Sequence, residues 1–450
     1  MTNIEKSSFK DPDSSVINEN GEIYRQINFS YQNDYDKLMS SGLYNELTQK
    51  QLLITHQEIE QHDRGIYKLI KPEKVFITYP WEWSFSQLKD CALATLQIQL
   101  TALEYGMSLK DANCYNIQFK NNKPLLIDTS SFEQYKEGHA WTAYRQFCEN
   151  FLAPLALMTY KDIRLNNLLV TNINGIPLDL ASKLLGNIFN LDLYLHIKLH
   201  SKLQDKYAGE HNKKINVNIS KQSQINLVKS LINCVKHLKL KDFHTEWDDY
   251  YNFTNYEKES FNHKKEIIIE YKNRINPKKV WDFGANIGVF SRLFKDSEIF
   301  AFDIDSLAVE KNYLNAKHNN ETKIFPLVFD LTNPSPSVGW NNEERMNLIN
   351  RSNNPDIVMA LALIHHLRIT YNIPFYKIRD YFSQISPYLI IEFVEKNDSQ
   401  IQKMLSNRED IFGDYTIEEF EKVFNNTYEI VDKTPIKNTH RCLYLMRRKS

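Results

Sequence analysis

The sequence predicts an α/β fold for its C-terminal part: a mostly parallel sheet with an antiparallel edge hairpin, preceded by an α+β domain and a helical segment. Three observations carry that prediction. Apolar runs at 298–302, 324–329, 356–362 and 388–393 are continuous rather than alternating, as expected of parallel strands buried on both faces. The earliest strand of this set runs through Trp281 into the small-residue turn Asp282-x-Gly284-x-Asn286-x-Gly288. Near the end of the chain, Tyr428–Asp432 and Arg441–Arg447 have the spacing of an antiparallel pair. At 450 residues the chain is too long for one ordinary core. Its pattern divides it into residues 20–140, a helical region 141–243 that continues the first domain, and 244–450.

Composition narrows the class. With 42% hydrophobic and 25% charged residues and a net charge of −1, there is no strong nucleic-acid signal and no mark of a disordered chain. The cysteines at 91, 114, 148, 234 and 442 lack Cys-x-x-Cys spacing, so neither a disulfide framework nor a zinc site is expected. A reducing, cytoplasmic location fits that usage. No apolar signal region opens the chain. The most apolar later stretch, 176–199, is interrupted by Asp179, Lys183, Asp192 and Lys198, so no transmembrane segment is expected.

In the first part, Ile23–Asn28 alternates like a strand and Tyr35–Gln51 has helical spacing. Tyr67–Ile70 and Val75–Tyr79 read as a pair of strands, and an amphipathic helix is predicted from about Ser84 to Tyr105. A polar loop, a hairpin about Lys120–Lys123 and the run Pro124–Asp128 follow. Asp111, Asn116 and Asp128 match the spacing of a base and two metal ligands in protein-kinase-like folds, which this region resembles. That resemblance implies Asp111 as base, Asn116 and Asp128 as Mg²⁺ ligands, and Mg-ATP as cofactor. The alternative is that Asp111 and Asn116 cap a loop while Asp128 ends a strand. No His-Arg precedes Asp111, Asp128-Thr-Ser stands in place of Asp-Phe-Gly, and no Gly-rich phosphate loop lies upstream, so the expectation is a reduced kinase-like fold. From Trp141 to Leu240, Leu and Ile recur at helical spacing, and the basic stretch Lys202–Lys221 reads as a solvated face.

The third part opens with the aromatic segment Trp247–Tyr256, either a lid over a ligand or packing between domains, and a helix from about Glu257 to Asn276. The turn 282–288 is predicted to open a helix. A dinucleotide site would require Gly-x-Gly-x-x-Gly. The order here instead resembles the S-adenosylmethionine (SAM) sites of class I methyltransferases, whose Rossmann-like sheet the strand pattern also fits. On that reading Asp282, Gly284, Asn286 and Gly288 form the cradle. Asp303, with Asp305 second, takes the ribose hydroxyls, Asp330 meets the adenine amino group, and Ala360 lines the site. Asp305 is alternatively an N-cap for the helical pattern that starts at Ser306. His365 and His366, at the mouth of the fourth strand, are candidate general bases, or else packing or cofactor-lining histidines. Glu392, near the end of the fifth strand, is a further acid–base candidate, with an ion pair or a helix cap as its alternative. A histidine metal pair is not expected, because adjacent helical residues do not face one point.

Several longer stretches complete the picture: Tyr79–Lys89, Ser108–Phe119, Trp281–Gly288, Asp330–Trp340, Ala360–Leu367 and Ile390–Gln400. Through them most of residues 20–450 resembles the bacterial SAM-dependent methyltransferases similar to nodulation protein NoeA. The resemblance implies methyl transfer to an O- or N-nucleophile on a small-molecule or glycan acceptor, with carbohydrate and lipid-linked acceptors as the classes it suggests. The rival expectations are a kinase-like phosphotransferase with a regulatory SAM domain, and a non-catalytic scaffold.

Overall fold

The computed structural model describes residues 4–60, 65–186, 193–199, 219–240, 258–351, 354–406 and 408–449. The segment Trp247–Tyr256 and most of Lys202–Lys221 lie outside them. The chain divides into two compact units. One comprises Met1–Phe243 with Ser337–Met346, and the other His244–Pro336 with Asn347–Ser450.

The first unit begins with a four-stranded antiparallel sheet. It is built from β1 (Ser14–Glu19), β2 (Glu22–Ile27), β3 (His56–Ile59) and β4 (Lys68–Pro72), in the order β1-β2-β4-β3. The helical run after β2 is broken into Gln32–Ser40 and Leu43–Gln49 at Gly42, whose φ of +89° ends one helix and starts the next. Val75–Tyr79, read as a strand partner of Tyr67–Ile70, forms no strand, and β4 pairs with β2 and β3 instead. The reason is a buried side chain that stands in for a ladder: Gln118 accepts the Thr78 backbone N–H at 2.8 Å and donates to the Thr78 carbonyl at 2.9 Å. The long helix Phe85–Glu104 starts where the sequence places it. Ser84 and Gln87 exchange side-chain and backbone hydrogen bonds there as a capping box. Beyond it lie two short antiparallel pairs. β5 (Met107–Leu109) joins β8 (Phe132–Gln134), and β6 (Ile117–Lys120) joins β7 (Lys123–Leu126).

The second unit is organised on a seven-stranded sheet. Its strands are β9 (Lys279–Phe283), β10 (Glu298–Asp303), β11 (Ile324–Val328), β12 (Ile357–Ala360), β13 (Tyr388–Val394), β14 (Tyr428–Pro435) and β15 (Arg441–Arg448). The order is β11-β10-β9-β12-β13-β15-β14. The first five positions pair in parallel, and the terminal hairpin joins antiparallel through β15 against β13. Strand order reverses between β9 and β12, so a crevice opens beyond their carboxyl ends, where α/β sheets hold ligands. Helix Lys258–Ile275 packs Ile267, Ile268 and Tyr271 into the same core as Val280, Ile299, Met359 and Leu443.

Candidate functional site: a cavity at the switch point

The turn after β9 shapes the near wall of the crevice. Gly284, Asn286 and Gly288 all adopt left-handed backbone, with φ of +75°, +49° and +78°. Three such residues in alternation cannot run on as an α-helix, so the expected helix is replaced by loop and a short 3₁₀ turn, Ser291–Phe294. Gly288 is required for a second reason. A Cβ there would lie 2.7 Å from the fully buried side chain of Asn312. The Asp282 carboxylate, buried at the end of β9, accepts from Ser291 Oγ at 2.6 Å, and burial pushes it up to about 7. Asp303 ends β10. Its two oxygens accept the backbone N–H of Asn286 at 2.7 Å and of Asp305 at 2.8 Å. Burial nevertheless outweighs those bonds and moves it up to about 6.

These elements enclose a cavity of about 630 Å³, within the ~300–1,000 Å³ usual for small-molecule sites. Asp282, Gly284, Asn286, Asp303, Asp330, His365 and His366 all line it. Asp330 accepts the backbone N–H and the hydroxyl of Thr332 through one oxygen, at 2.8 and 2.6 Å. Asp305, Gly288, Ala360 and Glu392 are not in its wall. Asp305 takes the N-cap position of helix Ser306–His318, where it accepts from Leu307 and Ala308 N–H. Ala360 is buried within β12, and its neighbours Leu361 and Ala362 face the cavity.

His365 and His366 present a geometry that regular helical spacing does not anticipate. Both line the cavity, with ring centroids 4.3 Å apart. A π-helical turn, His366–Thr370, follows β12, and its wider winding lets neighbouring side chains share one wall. His365 is 3% exposed, and its Nδ1 has no hydrogen-bond partner. Burial, then the nearby His366, Arg441 and Lys264, hold His365 well below the ordinary imidazole range, and burial takes His366 down to about 4. Both are therefore neutral near pH 7.

The opposite wall holds residues that the sequence did not single out. Lys264, from helix Lys258–Ile275, is 2% exposed and lines the cavity. Its Nζ lies 2.6 Å from Glu392 Oε2 and 4.5 Å from the centre of the Phe290 ring. Arg441, on β15, also lines the cavity, with Nε 2.8 Å from Asp398 and Nη1 3.5 Å from Glu392. Glu392, fully buried, is thus the link between two cations. Nothing local in the sequence joins residues 264, 392, 398 and 441, because tertiary packing of a helix against β13 and β15 brings them together.

In the first unit, Asp111, Asn116 and Asp128 do come together. Asn116 Nδ2 donates to Asp111 at 3.0 Å and to Ser131 Oγ at 3.4 Å, and Ser131 Oγ donates to Asp128 at 2.9 Å. Asp128 is already saturated. It meets Arg25 Nη1 at 2.8 Å, the Ser130 N–H at 2.8 Å and the Ser130 hydroxyl at 2.6 Å. Because Asp128 is already paired with the Arg25 guanidinium and bonded to both serines, these residues do not fit Mg²⁺. Among the described residues no group of three or more His, Cys, Asp or Glu side chains could hold a metal ion. No helix there is long and apolar enough to cross a membrane.

No protein-family model matches the chain. Nodulation protein NoeA from Rhizobium meliloti (strain 1021) is 31% identical over 459 aligned positions, covering 98% of this chain and 95% of that protein. Among solved structures, WbdD matches at a TM-score of 0.31 with 15% identity, over 46% of this chain and 43% of that chain. N-methyltransferase NodS from Bradyrhizobium japonicum WM9 matches at 0.31 with 9% identity, over 43% of this chain and 99% of that one.

Proposed function

This chain belongs to the family of nodulation protein NoeA, and we propose that it is a SAM-dependent methyltransferase working through the cavity at the switch point of its second unit. One observation carries the reading. Three carboxylates that end consecutive parallel strands or follow them, Asp282, Asp303 and Asp330, converge with a left-handed Gly/Asn turn on one cavity. That donor set fits the cofactor. A carboxylate oxygen has two lone pairs, so Asp303 retains capacity for ribose hydroxyls after accepting the backbone N–H groups of Asn286 and Asp305 on separate oxygens. Asp330 likewise uses only one oxygen on Thr332.

SAM supplies a methyl group on a sulfonium, so the leaving group comes with the cofactor. What remains for the chain is alignment, exclusion of water and removal of one proton. His365 is placed for the last task. Its neutral imidazole, with Nδ1 unpartnered, faces the cavity and can accept a proton from a hydroxyl or amine acceptor as the methyl arrives. We propose a small-molecule or glycan acceptor. Glu392, buried between Lys264 and Arg441 and outside the cavity wall, acts in this scheme through those cations. The first unit is proposed as a kinase-like domain, with no phosphotransfer step assigned to it because Arg25 holds Asp128.

Isothermal calorimetry tests the central claim. Wild type is expected to bind SAM and S-adenosylhomocysteine, and absence of binding to both would end this reading. With labelled SAM and a small-molecule extract as acceptor source, His365→Gln should retain cofactor affinity and lose about 100-fold or more in label transfer.

A further inference from the structure

His365 and His366 share a wall because the chain leaves β12 in an unusual way. Ala362 adopts left-handed backbone, with φ of +48°, and Asn372 closes the turn with φ of +56°. Between them the winding widens. Leu367 N–H donates to the Leu363 carbonyl four residues back, at 3.2 Å, but Tyr371 N–H donates to the His366 carbonyl five residues back, also at 3.2 Å. An α-helical step would set successive side chains about 100° apart, which would turn one ring away from the cavity. A left-handed alanine and a π-turn are both costly, and they persist only where the surroundings over-determine them.

The segment 408–415 supplies that constraint. Arg368, a buried residue in the middle of the turn, donates through Nη2 to both oxygens of Asp414, at 2.7 and 2.9 Å. Through Nη1 it donates to Asn372 Oδ1 at 2.9 Å, so one guanidinium ties the left-handed end of the turn to the segment. Arg408 Nη1 donates to the carbonyl of Ile369, a fully buried residue whose backbone oxygen needs a donor. In an α-helix that carbonyl would bond residue 373, but the Ile373 N–H goes to the Leu367 carbonyl instead, at 3.0 Å. Both guanidiniums lie over the fully buried Phe412 ring, 4.9 and 4.8 Å from its centre. The segment is itself anchored. Phe412 N–H donates to Asp410 at 3.0 Å, Lys396 pairs with Asp410 at 2.8 Å, and the Tyr415 hydroxyl donates to the carbonyl of Val394, the last residue of β13, at 2.8 Å. Arg368, Arg408, Phe412 and Asp414 are all outside the cavity wall, so they reach the chemistry through the turn they grip. From this arrangement we propose that Arg368 is a positioning residue: clamped by Asp414 and Phe412, it holds the turn His366–Thr370 in its wide winding and so keeps both imidazoles on the cavity. The proposal rests on the reading of that cavity as a methyltransferase site with His365 as base.

Nuclear magnetic resonance on the full chain with ¹³C-labelled histidine tests the assignment, with His365→Gln and His366→Gln identifying the two rings. Wild type should show a nuclear Overhauser contact between the His365 and His366 rings, whose centres are 4.3 Å apart. Arg368→Met should lose that contact and keep S-adenosylhomocysteine affinity within about twofold by calorimetry. Label transfer from SAM should slow about 100-fold in the same variant, the scale expected when a reacting group is displaced. Arg368→Lys keeps the charge but not the two-pronged fork, so it should restore neither the contact nor the rate. Asp414→Asn alters a half-exposed side chain and serves as the second form should Arg368→Met fail to fold, with the same expected pattern. If the ring contact is absent from wild type, or survives in both Arg368→Met and Asp414→Asn, Arg368 does not set the turn and the proposal falls. Equal losses of S-adenosylhomocysteine affinity and of label transfer would overturn it too, as general damage to the fold. Failure of wild type to bind S-adenosylhomocysteine would instead remove the SAM reading, while the ring contact would still report on the turn.

Discussion

Asp303 and Asp128 are both buried carboxylates close behind short strands, and both belong to a motif-like spacing in the sequence, yet their surroundings differ in kind. Asp303 faces a cavity, accepts backbone N–H groups and no side-chain cation, and is held protonated to higher pH by burial. Asp128 faces an arginine and two serines, and although it is just as deeply buried, its carboxyl lies below the ordinary range because of Arg25 and those hydrogen bonds. Burial alone therefore does not mark a site. An acid poised for a ligand is one whose charged form is under-compensated until the ligand arrives, whereas an acid whose partners are all internal is part of the scaffold.

The sharpest way to break this comparison is to remove each acid. Asp303→Ala is expected to cost at least about 100-fold in S-adenosylhomocysteine affinity by calorimetry, since two hydrogen bonds to a charged group are lost. Asp128→Ala should leave that affinity unchanged. Its effect, and that of Arg25→Met, should appear as stability instead. Breaking a buried pair by removing one partner costs about 3–5 kcal/mol, read as a lowered denaturation midpoint. Added Mg-ATP should shift the thermal midpoint of neither wild type nor variants. A clear Mg-ATP shift in wild type that Asp128→Ala abolishes would erase the distinction.

Proton linkage gives a smaller effect of definite sign. In the folded chain Asp282 and Asp303 titrate at about 7 and about 6, above the range they have when unfolded. The folded state therefore binds their protons more tightly. The stability they contribute is fully present below the ordinary carboxylate range and is lost as pH rises through about 6 and about 7. Asp128 has the opposite sign, with stability present above the ordinary range and lost as pH falls through its lowered value. Urea midpoints from mildly acidic to neutral pH should thus decline more steeply in wild type than in Asp282→Asn. S-adenosylhomocysteine affinity should move the other way, falling up to about tenfold per pH unit below the point where Asp303 takes up its proton.

How much of this was legible in advance follows from distance along the chain. The turn 282–288 and the strand-end acids could be read because each strand and its loop are local, and the parallel sheet follows from the continuous apolar runs. The failed strand at Val75–Tyr79 shows the limit. Its apolar pattern is genuine, but its backbone partner is the Gln118 side chain, some forty residues further on. Lys264 lay out of reach for the same reason. In a chain with 55 lysines and arginines, what distinguishes it is the tertiary contact of its helix with Glu392, 128 residues further on. The paired histidines were legible as residues and not as geometry, because a π-turn has no reliable sequence signature.

The finest form of the comparison lies within two residues of chain. Asp303, the last residue of β10, and Asp305, two residues on, are both buried acids and both candidates for the ribose. Only Asp303 lines the cavity, while Asp305 accepts the N–H groups of Leu307 and Ala308 at 2.8 and 3.4 Å as the N-cap of Ser306–His318. Loss of such a cap costs about 1 kcal/mol, so Asp305→Ala should lower the denaturation midpoint slightly. Asp305→Ser, which caps through its hydroxyl, should recover most of that loss. Neither should change S-adenosylhomocysteine affinity by more than about twofold, because the Asp305 backbone N–H that holds Asp303 in place survives both substitutions. If Asp305→Ser restored stability while affinity stayed low, the carboxylate at 305 would be reaching the ligand, and the division of labour between these two acids would have to be redrawn.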